Sequence, residues 1–161
     1  MMQFITRWFG RGEPVLSEAT PRDAAAIATL HAASFHRGWS EDEIERMMLE
    51  RNVVTHRASI GSRLIGFIMS RMAADEAEIL SVAVAASYRG KGLARRLLNL
   101  HMGRLSGVGT RVIFLEVDEG NMAARQLYRR AGFGEAGRRE GYYAAADGKR
   151  ATALVLRRDL A

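Results

Sequence analysis

The sequence predicts a single α/β domain, in which a mixed and mostly antiparallel sheet of about seven strands is flanked by four helices. Apolar strand-like runs alternate with helical patterns, and capping signals mark the helix starts. At 161 residues the chain is long enough to bury one core. We expect residues 14–161 to form this domain, after a mobile lead-in at residues 1–13.

Capping signals place the first two helices. Thr20 and Pro21 suit the N-cap and first helical positions of a helix that runs to about residue 35. Ser40 and Glu43 form a capping box for a second helix that ends near residue 50. The other elements follow from apolar periodicity and turn residues. Strands are predicted at Val15–Ala19, Val53–Ile60, Leu64–Arg71, Ile79–Val84, Val112–Val117, Phe133–Tyr143 and Ala151–Arg157, and helices at Lys91–Ser106 and Asn121–Ala131.

The amino-acid composition excludes several kinds of functional site. The chain has no cysteine, which excludes disulfides, thiolate metal sites and a cysteinyl acyl-enzyme. The four histidines show no metal-ligand spacing, so we predict no metal. No apolar run is long enough to span a bilayer, and the amino terminus is too interrupted for a signal peptide, so we expect a cytoplasmic protein. The net charge of +6 favours an anionic ligand or polyanionic surroundings, although charge alone is more often explained by a solvated basic surface.

A glycine-bearing turn joins the predicted central strand to the following helix. The first amides of a helix attract anions, and glycines at positions 90 and 92 let a phosphate approach the backbone. No window matches a Walker A loop, and Arg95 stands where a dinucleotide fingerprint needs its third glycine. The residues of this turn are Arg89, Gly90, Lys91, Gly92, Leu93, Ala94 and Arg95.

This turn resembles the Arg/Gln-x-x-Gly-x-Gly/Ala signature of the GCN5-related N-acetyltransferase (GNAT) family. The resemblance covers about residues 14–158 and is most similar to the RimI-type ribosomal-protein-alanine N-acetyltransferases. The residues that carry it are Leu115–Val117, Asn121, Leu127–Tyr128 and Ala131–Phe133. It implies the GNAT acyl-CoA N-acyltransferase fold, with a sheet splayed at its centre. It also implies acetyl-CoA as co-substrate and the N-terminal alanine of a small-subunit ribosomal protein as acceptor, by direct transfer in a ternary complex.

Two residues are the catalytic candidates. Glu116 lies inside an apolar strand, where an unpaired carboxylate is costly, and we predict that it is the general base. The alternative is a side chain that points to solvent. Tyr128 lies in the next helix and carries an O–H that is protonated at neutral pH, so it is predicted to protonate the leaving thiolate. An isolated aromatic in such a position is more often a core residue.

The remaining site residues follow from the resemblance. The backbone of Val82, Ala83 and Val84 is expected to meet the pantetheine and the thioester, and Gly90 to Arg95 the pyrophosphate. Asn121 is expected to contact the coenzyme, or only to cap its helix. Trp39, Glu140 and Tyr142 are expected to line the acceptor groove, although Trp39 also suits an interhelical turn.

Proton affinity favours an α-amine as acceptor. At neutral pH roughly a tenth of peptide α-amines are neutral, against well under a thousandth of lysine side chains. The alternatives are an acetyltransferase for a small-molecule amine or a lysine, and a non-catalytic basic module that binds RNA or the ribosome. Direct nucleic-acid binding is not expected, because the aromatic platform of single-strand binders is missing.

Overall fold

The computed structural model describes residues 12–144 and 150–160. Its strands are β1 (Val15–Glu18), β2 (Val53–Ile60), β3 (Arg63–Ala73), β4 (Glu76–Val84), β5 (Val112–Asp118), β6 (Gly134–Ala144) and β7 (Arg150–Asp159). Its helices are α1 (Ala24–Ser34), α2 (Glu41–Leu49), α3 (Leu93–Gly107) and α4 (Met122–Arg130). The predicted order of strands and helices is confirmed.

Two helix starts differ from the sequence predictions. Residues Pro21–Asp23 form a 3-10 turn, so α1 itself begins only at Ala24. The Asp23 carboxylate accepts a hydrogen bond from the Thr20 amide at 2.9 Å, which holds this turn in place. The α3 helix begins at Leu93 instead of Lys91, because Gly92 is left-handed (φ 80°) and stands outside the helix as its N-cap. The predicted cap of α2 is present, since Ser40 Oγ accepts from the Glu43 amide at 3.1 Å.

The sheet has the order β1-β2-β3-β4-β5-β7-β6. All neighbours are antiparallel except β4 and β5, which are parallel. The β4–β5 ladder runs only from Glu76–Val112 to Ile79–Leu115 and then stops. Beyond this last pair both strands continue without pairing to each other, so the sheet is splayed at its centre, as predicted.

A β-bulge lies at the point where the two central strands separate. On β3, Met69 and Ser70 are adjacent, but their partners on β4 are Ser81 and Ile79. Leu80 is therefore an extra residue in β4, without a partner in the ladder. Such a bulge bends the strand and increases its twist, which favours divergence from β5.

The two faces of the sheet are covered differently. On one face α3 and α4 pack on a large core that includes Leu97, Ile113 and Leu115. On the other face α1 and α2 cover a smaller cluster that includes Phe67 and Met69. Within the described ranges, this second cluster takes no residue from β5, β6 or β7. In the described part of the chain, α1 and α2 therefore do not cover the face of those three strands opposite α3 and α4, which we call the open face.

In the part of the chain that the structure describes, no helix is both long enough and apolar enough to cross a bilayer.

Candidate active site

The turn before α3 has an open, amide-rich backbone. Gly90 and Gly92 have positive φ angles of 76° and 80°. A Cβ built on either glycine would meet no heavy atom within 4 Å. In the first hydrogen bond of α3, the Arg96 amide donates to the Gly92 carbonyl at 3.1 Å. The amides of Leu93 to Arg95 therefore lack an intrahelical acceptor and present the positive end of the helix dipole. These residues fit an anion such as a pyrophosphate.

The side chain of Arg89 stabilises this loop through contacts with the protein itself. Its Nε donates to the Val84 carbonyl at 2.9 Å, and its Nη2 lies 3.4 Å from Ser34 Oγ. It therefore ties the end of β4 to the end of α1. The Lys91 ammonium lies 5.6 Å from the centroid of the Tyr88 ring. Arg95 is exposed at the start of α3, so its charge is accessible to a phosphate.

Val82, Ala83 and Val84 lie on the unpaired end of β4. They pair with Ile68, Phe67 and Gly66 of β3 on one side only. Because the β4–β5 ladder has already ended at Ile79–Leu115, their other edge faces the gap between the two strands. An extended ligand can enter such a gap and bind the free backbone groups as an added strand would.

Glu116 lies directly across this gap on β5. Its neighbours Leu115 and Val117 belong to the core under α3 and α4, so alternation places Glu116 on the open face. Its side chain is 20% exposed, and its Oε1 lies 3.1 Å from Arg139 Nη1 of β6. The carboxylate is thus paired and partly exposed, and its role as general base stays a prediction. The pairing with Arg139 was not predicted.

Tyr128 lies in the core cluster on the other side of β5. It is 7% exposed and packs edge-on against Phe133, with ring centroids 5.6 Å apart. Burial raises the pKa of the Tyr128 phenol to about 12, because a tyrosinate is poorly solvated there. The O–H therefore stays protonated at neutral pH. Within the described residues this hydroxyl makes no hydrogen bond, so its proton is available.

Asn121 caps α4. Its Oδ1 accepts a hydrogen bond from the Ala124 amide at 3.1 Å, as expected for the capping alternative. Its side-chain amide nitrogen is the group that remains for a ligand, and the contact with the coenzyme stays a prediction.

Trp39 is half-buried between α1 and α2, where it is held by a histidine. Its backbone amide donates to His31 Nδ1 at 3.0 Å, and its indole stacks on the His31 imidazole with centroids 4.2 Å apart. Burial lowers the pKa of His31 more than the nearby Glu43 raises it, so the ring stays neutral and Nδ1 accepts. Sequence analysis missed His31. Its position eight residues before Trp39 gave no periodic signal of this contact.

The two other acceptor candidates lie on β6. Glu140 is exposed and follows Arg139 at an irregular step, where β6 contains two residues more than β7. Gly141, which follows it, has a φ of 66°. The side chain of Tyr142 lies outside the described residues, so its predicted role is not tested.

Among the described residues, no group of three or more histidine, aspartate or glutamate side chains is arranged to hold a metal ion.

A known family model matches the part of the chain that contains these site residues. The family model described as "Acetyltransferase (GNAT) family" matches residues 23–133, a range that contains the glycine turn, Glu116 and Tyr128.

Curated relatives carry the same kind of name. The [Ribosomal protein bS18]-alanine N-acetyltransferase of Haemophilus influenzae is 35% identical over 95 residues, which are 59% of this chain. That match spans 64% of the relative, just under two thirds of its length. The enzyme of the same name from Escherichia coli K12 is 32% identical over 111 residues, 69% of this chain and 74% of the relative.

A solved structure confirms the predicted fold. The crystal structure of the ribosomal-protein-S18-alanine N-acetyltransferase from Escherichia coli superposes with a TM-score of 0.87 at 26% identity. The superposition covers 92% of this chain and 95% of that one.

Proposed function

The chain belongs to the acetyltransferase (GNAT) family, as its sequence predicted, and from this premise we propose that it transfers acetyl from acetyl-CoA to an N-terminal α-amine. The acceptor is the N-terminal alanine of a small-subunit ribosomal protein, the substrate class named for its relatives in Haemophilus influenzae and Escherichia coli. The transfer is direct, in a ternary complex, because the chain has no cysteine to carry the acetyl group.

The splay between β4 and β5 is the observation that carries this proposal. It gives the coenzyme a free strand edge at Val82 to Val84 and opens next to Glu116. At the end of β4, the amides that begin α3 supply the anion site for the pyrophosphate. A thioester seated along the edge therefore lies between the anion site and the carboxylate.

Glu116 is the proposed base. The amine attacks the thioester carbon with its lone pair, so the C–N bond forms as the nitrogen becomes positively charged. Glu116 then accepts the surplus proton, directly or through water. Arg139, whose Nη1 lies 3.1 Å from Glu116 Oε1, orients the carboxylate through a charge-assisted hydrogen bond.

Tyr128 is the proposed acid. As the C–S bond breaks, negative charge develops on sulfur, and the phenol donates first a hydrogen bond and then its proton. The buried setting that raises its pKa to about 12 prevents ionisation beforehand. The products are the acetylated amine and coenzyme A as a free thiol.

A panel of peptides incubated with acetyl-CoA, with free thiol as the readout, tests the acceptor. A peptide with a free N-terminal alanine should release thiol. The same peptide with a blocked terminus and an internal lysine should not, because far less of the lysine amine is neutral. Equal rates for the two peptides would replace the α-amine by a lysine or general amine acceptor. Absence of thiol release with any amine would favour the non-catalytic alternative.

A further inference from the structure

The side-chain oxygens of Thr55 and Ser81 are fully shielded from solvent and lack a hydrogen-bond partner in the described part of the chain. Ser81 is 7% exposed. A buried hydroxyl without a partner destabilises the fold, so each instance calls for an explanation. Ser81 lies on β4 beside the splay, whereas Thr55 lies on β2, two strands away.

The bulge at Leu80 decides which way Ser81 points. Met69 of β3 pairs with Ser81, and Met69 belongs to the cluster under α1 and α2. Directly paired residues share a face of the sheet, so Ser81 lies on that same face. If β4 were regular, with no bulge at Leu80, strict alternation from Ile79, which faces α3, would turn Ser81 to the α3 side as well.

Glu116 lies on this same face. Ile79 and Leu115 are the last paired residues of β4 and β5, and both face the core under α3. Glu116 follows Leu115 and therefore faces the opposite side. Ser81 and Glu116 thus flank the opening of the splay from its two strands, on the face that the acceptor must approach.

We propose that Ser81 binds the acceptor amine through its Oγ, which accepts the N–H that Glu116 does not take. A neutral primary amine has two N–H groups and one lone pair. The lone pair attacks the thioester carbon, one N–H loses its proton to Glu116, and the other remains in the amide product, bonded to Ser81. Rotation about the single side-chain torsion of serine turns the hydroxyl toward the splay when the amine arrives.

This inference rests on the proposed function and makes a separate statement about amine class. A secondary amine has a single N–H, which Glu116 requires, so Ser81 gains nothing from it. The hydroxyl therefore favours a peptide with N-terminal alanine over the same peptide with N-terminal N-methylalanine. The N-methyl group also adds bulk, but that bulk acts equally in the wild type and in a serine variant.

The test compares Ser81→Ala with the wild type on both peptides. For the alanine peptide, kcat/KM should fall about tenfold, because the lost hydrogen bond is made to a nitrogen that becomes charged. For the N-methylalanine peptide it should change less than about twofold. Ser81→Thr, which keeps the hydroxyl, should restore discrimination between the peptides. The affinity for CoA should be unchanged and Tm should not fall, since an unpartnered buried group is removed.

Thr55→Val is the matched control. It removes the other unpartnered hydroxyl, whose residue also pairs with Met69 and so lies on the same face, and it should leave both rates unchanged. Equal losses with both peptides, or no loss with either, would overturn the role of Ser81. If the wild type uses another amine and not the alanine peptide, the proposed acceptor fails. The comparison is then made with that amine and its N-methyl form, with the same two outcomes.

Discussion

The α3 side of the sheet and the open face of β5, β6 and β7 differ in how their polar groups are used. Under α3, the buried His101 is paired through both ring nitrogens: it lies 2.7 Å from His56 and 2.6 Å from Ser70. On the open face Glu116 is held by a half-exposed arginine, and at its border the Ser81 hydroxyl has no partner among the described residues. The first region stabilises the fold, and the second keeps groups available for a ligand.

The largest expected effect is a loss of activity when the open face is altered at Glu116. Glu116→Gln removes the base without changing the size of the side chain, so kcat should fall by about 10²- to 10⁴-fold while Tm changes little. The measurement is thiol release under saturating acetyl-CoA. Glu119→Gln is the control, because Glu119 pairs with Arg138 in a similar Arg–Glu contact between the end of β5 and β6. Comparable losses in both variants would show that ion pairing, and not base catalysis, accounts for the effect.

Low pH should reduce the stability that the α3 side of the sheet contributes to the fold. Burial, and secondarily the nearby His56, lowers the pKa of His101 to about 3 from 6.5. Its contribution to stability is therefore complete above pH 6.5 and is lost as pH falls toward 3. From this residue the free energy of unfolding should be about 2 kcal/mol lower at pH 5 than at pH 8. Urea unfolding at the two pH values measures this.

His101→Gln keeps a neutral hydrogen-bonding side chain that does not titrate. The variant should lose this part of the pH dependence, and only the smaller contributions of His31 and His56, whose pKa values are also lowered, should remain. An undiminished decrease between pH 8 and pH 5 would mean that His101 is accessible to protons in the folded state.

The smallest of these effects concerns the glycine turn. Gly92→Asp adds a side chain at a φ of 80° and a negative charge next to the amides of α3, so CoA affinity should fall at least about tenfold. Calorimetry with CoA measures this. Gly109→Asp imposes the same kind of strain beyond the other end of α3, at a φ of 96° and also in open space. If both variants bind CoA equally well, the anion site lies elsewhere.

The sequence predicted features that depend on local patterns. The order of strands and helices, the caps of α2 and α4 and the glycine turn follow from apolar periodicity and from residues at fixed offsets. The position of Glu116 on the central strand follows in the same way. The 3-10 character of Pro21–Asp23, the late start of α3 and the start of β4 at Glu76 instead of Ile79 were missed, because element ends depend on single backbone conformations.

Features that depend on strand register were not predictable. The pairing of Glu116 with Arg139 joins β5 to β6, which are not neighbours in the sheet because β7 lies between them. The bulge at Leu80 leaves no local signal, yet it decides the face on which Ser81 lies. The contact between His31 and Trp39 likewise depends on the loop that joins α1 and α2.

Tyr128 combines features of the two regions, since it is buried in the α3 core yet has a hydroxyl without a partner among the described residues. The most direct test of the account is therefore kcat of Tyr128→Phe, which keeps the ring and its packing against Phe133 but removes the proton donor. We expect kcat to fall by about 10²- to 10⁴-fold, with CoA affinity and Tm close to those of the wild type. A stable Tyr128→Phe protein that binds CoA and turns over at nearly the wild-type rate would contradict this mechanism.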